Sequence, residues 1–75
     1  MDITQEDVVR LVRLTLGRRQ VSEKDLLLED LGAESVDILN LVAALEEKYN
    51  VSIPEEDIPG LRTASDIHAY LRRTL

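Results

Sequence analysis

Asp30-Leu31-Gly32-Ala33-Glu34-Ser35-Val36-Asp37-Ile38-Leu39 is the stretch around which the chain is organised. Residues 17–34 show no sustained hydrophobic period, whereas from Ser35 onward the period is helical. Gly32 suits a tight, positive-φ turn just ahead of a helix start. Ser35 stands at the junction, with Glu34 before it and Asp37 two places after it. As a helix cap, Ser35 would offer its side-chain oxygen to first-turn N–H groups. Ile38, three places on, denies it the Glu or Gln of a capping box. A cap also leaves unexplained the acids and apolar residues gathered beside it. Ser35 is therefore the candidate working atom, a hydroxyl held out at the head of a helix.

That helix runs from about Ser35 to Tyr49. On a wheel of about 100° per residue, Ile38, Leu41, Val42, Leu45 and Tyr49 form one core stripe. Asp37, Asn40, Glu47 and Lys48 lie roughly opposite. Val36, Leu39 and Ala43 form a second apolar strip, flanked by Asn40, Glu46 and Glu47. One helix of a small bundle cannot easily bury both. The strip reads either as the edge of a broad core face or as an exposed docking surface with an acidic rim.

Outward from this helix, the flanking segments are also helical. Thr4 can cap a first helix from about Gln5 to Leu16, with Asp7 three places on and Ile3 able to pack on Val8. Val8, Leu11, Val12 and Leu16 make its stripe, and Gly17 is a stop signal. The long loop that follows carries Val21, Leu26, Leu27, Leu28 and Leu31, too apolar for a free linker, and Ser22–Asp25 can form a short capped helical turn. After Asn50, Val51–Pro54 reads as an extended crossing. Pro54 suits the first position of a short helix with Glu55, Glu56 and Asp57 near its positive end, stopped by Pro59-Gly60. Ile53, Ile58 and Leu61 face inward. A last helix starts near Thr63, with Asp66 three places on, and has Ala64, Ile67, Leu71 and Leu75 as its core stripe. The expected fold is all-α: a four-helix bundle with a long first loop and a short third helix, one domain over residues 1–75.

Composition bounds the function. The chain has no Cys and a single His, so neither a disulfide framework nor a multi-histidine metal site is available. His68 reads as a helix-packing or surface residue, and no metal site is expected. No apolar run approaches a membrane span and Met1 opens no signal-peptide pattern, so a soluble cytoplasmic monomer is expected. The formal charge is −6, and residues 34–57 hold seven acids against Lys48 alone. Such a surface repels nucleic acid and attracts basic protein patches. Catalysis has little support: Ser35 has no base or Gly-rich oxyanion turn near it in sequence. No EF-hand loop is present. The expectation is a protein that is not an enzyme.

Asp30 to Asp37 resembles the Asp-Leu-Gly-Ala-Asp-Ser-Leu-Asp motif of acyl carrier proteins. The similarity continues through Leu41–Tyr49, Ile53–Asp57 and Thr63–Leu71 and covers about residues 3 to 75. The resemblance implies a four-helix bundle whose Ser35 receives 4′-phosphopantetheine from coenzyme A, attached by a separate Mg-dependent transferase. The arm would hold acyl groups as thioesters for partner enzymes of fatty-acid or polyketide-like biosynthesis. It implies as partners the phosphopantetheinyl transferase and acyl synthases, transferases and ligases with basic docking patches. The implied contacts are Glu34, Val36, Asp37, Leu39, Asn40, Ala43, Glu46 and Glu47, with Glu55 and Glu56 secondary. Glu34, Val36, Asn40 and Ala43 stand where the family commonly has Asp, Leu, Glu and Met. The docking face is thus shallower and less acidic than in carriers of primary fatty-acid synthesis, and Thr63–Leu71 leans toward dedicated pathways.

Small residues at Ala43 and Ala44, with Ile38, Leu45, Ile53, Ile58 and Leu61 nearby, could admit the acyl chain between the second and third helices. Ordinary core packing is the competing reading. Within the carrier class, an aminoacyl or peptidyl carrier for an adenylating ligase is the alternative. Outside it, the alternative is an acidic helical interaction module with no prosthetic group.

Overall fold

Capping chemistry sets where each helix begins. In the computed structural model, which describes residues 2–75, α1 spans Gln5–Leu16, α2 Ser35–Tyr49 and α3 Ala64–Thr74, with a 3₁₀ segment at Glu55–Gly60 before α3. The expected all-helical order, long first loop and short third helix are all present. Thr4 caps α1: its hydroxyl accepts from the Asp7 N–H at 3.0 Å, and the Asp7 carboxylate accepts from the Thr4 N–H at 3.2 Å. These bonds hold the Asp7 carboxyl below its ordinary pKa. Gly17 ends α1 at φ 66. Thr63 caps α3 by accepting from the Asp66 N–H at 3.0 Å.

Two expectations at the third helix are corrected. The segment is 3₁₀ rather than α, and Pro54 is its cap rather than its first helical residue. Pro59 and Gly60 lie inside it instead of stopping it. The reason is length: six residues close i→i+3 bonds, as Leu61 N–H to Ile58 O at 2.9 Å does, without needing the donor that Pro59 lacks.

The core draws on all three α-helices. Val8 and Val12 of α1, Leu41 and Leu45 of α2, and Ile67 and Leu71 of α3 are each at most 1% exposed. α1 packs against both α2 and α3. His68 Nε2 lies 2.7 Å from the Ile3 carbonyl, tying α3 to the segment ahead of α1. Leu75 does not extend the α3 core stripe; it is exposed, one residue past the helix.

The long loop is packed down at a few points. Leu27 is 1% exposed and Leu31 8%. A fully buried leucine contributes roughly 1.5–3 kcal/mol, enough to offset the ordering of one or two loop residues. Two backbone bonds reinforce this, Leu27 N–H to Arg62 O at 2.9 Å and Ser65 N–H to Glu23 O at 3.0 Å. Ser22–Asp25 forms the expected single capped turn, with the Asp25 N–H donating to Ser22 O at 3.1 Å and the Asp25 carboxylate accepting from the Ser22 N–H at 2.8 Å.

Candidate functional site

The turn that delivers Ser35 is held from both sides. The Leu31 N–H donates to Leu26 O at 3.0 Å, and the Ala33 N–H to Leu27 O at 2.9 Å. The Asp30 carboxylate accepts from the Leu26 N–H at 2.8 Å. Arg18 folds back to donate through Nε to the Leu31 carbonyl at 3.0 Å. Gly32 then turns the chain at φ 68, as its place in the sequence suggests. A side chain there would be strained, and its Cβ would also meet Arg18 Nη2 at 3.3 Å.

The helix cap falls one residue earlier than a serine cap would. Glu34 has the extended backbone of a cap (φ −100, ψ 171). Its N–H donates to the Asp37 carboxylate at 2.9 Å. Ser35 is the first helical residue, so the cap reading of its hydroxyl does not hold. Ser35 is exposed, and among the described residues its hydroxyl enters no hydrogen bond. The Ser35 and Val36 N–H groups likewise find no acceptor there, as expected of a first turn. An exposed hydroxyl beside free N–H groups at the positive end of a 15-residue helix is chemically suited to carry a phosphodiester.

Below Ser35 the second apolar strip lies open. Val36 is 58% exposed and Leu39 59%, and Ala43 is exposed, which excludes the reading of this strip as core edge. Glu34, Asn40 and Glu47 surround it as exposed polar groups, and Glu55 and Glu56 are exposed at the start of the 3₁₀ segment. The other two acids are half-buried and engaged. Asp37 holds the Glu34 N–H, and Glu46 accepts from the Ile53 N–H at 2.8 Å, fixing the crossing after α2.

Ser35 also lines an apolar groove of about 330 Å³. Ile38 and Leu39 of α2, Ile58 and Pro59 of the 3₁₀ segment, Leu61 and Arg62 after it, and Leu26–Glu29 of the loop line it. Of the five sequence-derived pocket candidates, Ile38, Ile58 and Leu61 line it. Leu45 and Ile53 do not: they are 0% and 7% exposed in the core. The opening therefore lies between the loop, the head of α2 and the 3₁₀ segment, higher than a gap between the second and third helices alone. Sequence reasoning missed Leu26–Glu29, Leu39, Pro59 and Arg62 as lining residues; for the leucines of the loop the signal was a run too apolar for a linker.

The 3₁₀ wall is tied to α3. The Tyr70 hydroxyl donates to the Asp57 carboxylate at 2.8 Å. That bond, helped by desolvation and the Asp57 charge, raises the Tyr70 pKa above the ordinary phenol value.

Comparison with known proteins agrees with this geometry. Residues 6–71 match the family model for the phosphopantetheine attachment site. The chain is 38% identical to the acyl carrier protein of Wolinella succinogenes, over 88% of this chain and 90% of the relative. It is also 38% identical to that of Syntrophobacter fumaroxidans, over 97% and 95%. The chain belongs to the acyl carrier protein family. A solved Mycobacterium tuberculosis structure assigned to the acyl carrier proteins superposes with a TM-score of 0.84, covering 95% of this chain and 97% of that one at 21% identity, and so shares the fold. As an acyl carrier protein, this chain is a carrier and not a catalyst, and its prosthetic group is 4′-phosphopantetheine. Among the described residues no helix is long and apolar enough to cross a membrane.

Proposed function

We propose that Ser35 is the attachment point and that this carrier delivers acyl thioesters to enzymes of fatty-acid or polyketide-like biosynthesis from the cytoplasm, as a monomeric single domain. The observation that carries the reading is the exposed Ser35 hydroxyl, on the first residue of α2 and lining an apolar groove. In the transfer the serine Oγ would form the new bond to phosphorus as the diphosphate bond of coenzyme A breaks, with adenosine 3′,5′-bisphosphate as the leaving group. The serine proton leaves to a base on the transferase, which also holds the Mg²⁺. When attached, the group supplies a terminal thiol for thioester formation. The free Ser35 and Val36 N–H groups and the α2 dipole stabilise the phosphodiester charge. A flexible arm raises the effective concentration of its cargo at each partner's active site.

The docking face, in this reading, is Val36, Leu39 and Ala43 within a polar rim of Glu34, Asn40 and Glu47, extended by Glu55 and Glu56. Asp37 and Glu46 shape it from below through the bonds described above. Its partners are the phosphopantetheinyl transferase and acyl-handling synthases, transferases and ligases with basic patches. The groove's apolar lining favours an acyl cargo over an aminoacyl or peptidyl one.

Peptide mapping by mass spectrometry after incubation with coenzyme A and a broad-range transferase tests the attachment: the added group is expected on the peptide containing Ser35. Attachment at any other residue overturns the reading. Loading a medium-length acyl chain is expected to shift the amide signals of Ile38, Ile58 and Leu61. Unchanged signals there would remove the groove from the account.

A further inference from the structure

The surroundings of Ser35 pose an electrostatic problem for a phosphodiester. Glu34 precedes it, Asp37 lies in the same helical turn, and Glu29 lines the same groove. The helix dipole and two N–H groups offset part of this repulsion, but they carry only partial charge. Among the described residues, Arg62 is the one full cation that lines the groove with Ser35.

Arg62 is placed from behind. Its carbonyl accepts from the Leu27 N–H at 2.9 Å, and its own N–H donates to the Asp66 carboxylate at 3.3 Å. The loop and the α3 cap therefore fix where its side chain starts. Its residue is exposed, and among the described residues it makes hydrogen bonds only through its backbone. Arg18, by contrast, spends its guanidinium on the Leu31 carbonyl. A guanidinium with no side-chain partner among the described residues, on a residue that lines the same groove as an acid-flanked serine, is suited to a phosphate oxygen because its forked donors match one bidentately.

We propose that Arg62 is the counter-ion of the arm's phosphodiester, holding the start of the arm across the groove mouth so that its far end is directed along the apolar walls. This rests on Ser35 as the attachment residue. Arg62 acts as a positioning residue: it pairs with the phosphate and takes no part in thioester chemistry. A single charge pair across solvent is screened by salt, so the latch is strongest at low ionic strength.

The test uses loaded protein. Wild type, Arg62→Gln, Arg62→Lys and the distant control Arg72→Gln are each incubated with coenzyme A and a broad-range transferase, and intact mass confirms loading. Arg62 is exposed and its structural bonds are main-chain, so Arg62→Gln keeps the fold, which its amide spectrum checks. Loading wild type is expected to shift the Arg62 Nε–Hε signal, and added salt to reverse that shift. The ³¹P signal of loaded Arg62→Gln is expected to move away from wild type, Arg62→Lys to fall between, and Arg72→Gln to coincide with wild type. An Arg62 Nε–Hε signal unmoved by loading, with superimposable ³¹P signals for wild type and Arg62→Gln, overturns the proposal while leaving Ser35 intact. Failure of wild type to load overturns both.

Discussion

The two ends of α2 are built from similar residues for opposite purposes. At the C-terminal end Leu41, Val42, Leu45 and Tyr49 are buried, and Glu46 reaches out to hold the Ile53 N–H. At the N-terminal end Val36 and Leu39 are more than half exposed, and among the described residues Ser35 uses neither its hydroxyl nor its N–H in a hydrogen bond. One half of the helix is anchored so that the other can be presented. The difference lies in what faces each half: α1 closes over the buried stripe, whereas beside the head of α2 the loop and the 3₁₀ segment leave a groove.

Substitutions at matched residues break this comparison most sharply. Leu45→Ala is expected to cost about 2–5 kcal/mol in urea unfolding, because it empties a fully buried site. Leu39→Ala is expected to change stability by less than about 0.5 kcal/mol. Equal losses at the two positions would erase the division. Among the acids, Glu46→Ala is expected to cost about 1–3 kcal/mol by orphaning the part-buried Ile53 N–H. Glu47→Ala, at an exposed position without such a bond, leaves the unfolding midpoint where it was. On function the order reverses. Leu39→Ala is expected to slow transfer to a partner enzyme about tenfold, the size of a 1.4 kcal/mol contact. A variant at Leu39 that transfers at the wild-type rate at low salt removes the docking role from this strip.

How far the sequence carried this picture follows the same division. Where a period or a strong cap exists, the reading was accurate: Thr4, Gly17, Asn50 and Thr63 bound the α-helices, and the buried stripe of α2 held except for half-buried Ile38. The start of α2 at Ser35 is legible, but its cap is not: Glu34 is a poor capping type, and the Asp37 carboxylate that accepts from its N–H selects it. The groove was only partly legible. Ile38, Ile58 and Leu61 carry inward-facing patterns, but Leu26, Leu28 and Arg62 come from aperiodic segments placed by long-range bonds such as Leu27 N–H to Arg62 O. The Glu46 bond to Ile53 links the helix to a residue outside its period, so a helical wheel could show Glu46 only as rim.

The smallest expected effect concerns the groove wall. The Tyr70–Asp57 bond raises the Tyr70 pKa, so the folded state favours the protonated phenol. Its contribution to stability is complete below the ordinary phenol value of 10.0 and is lost as pH rises through the raised folded value. Thermal unfolding of wild type and Tyr70→Phe is expected to differ at neutral pH and to converge at strongly alkaline pH. A gap that persists unchanged through the phenol range would detach the wall from this bond.

The central claim is that the free hydroxyl at the head of α2 is the one the prosthetic group uses. Intact-mass analysis of wild type and Ser35→Ala, each incubated with coenzyme A and a broad-range transferase, tests it most directly. The account predicts one added phosphopantetheine on wild type and none on Ser35→Ala, with both proteins equally folded. Equal loading of the two, or no loading of wild type, would contradict it.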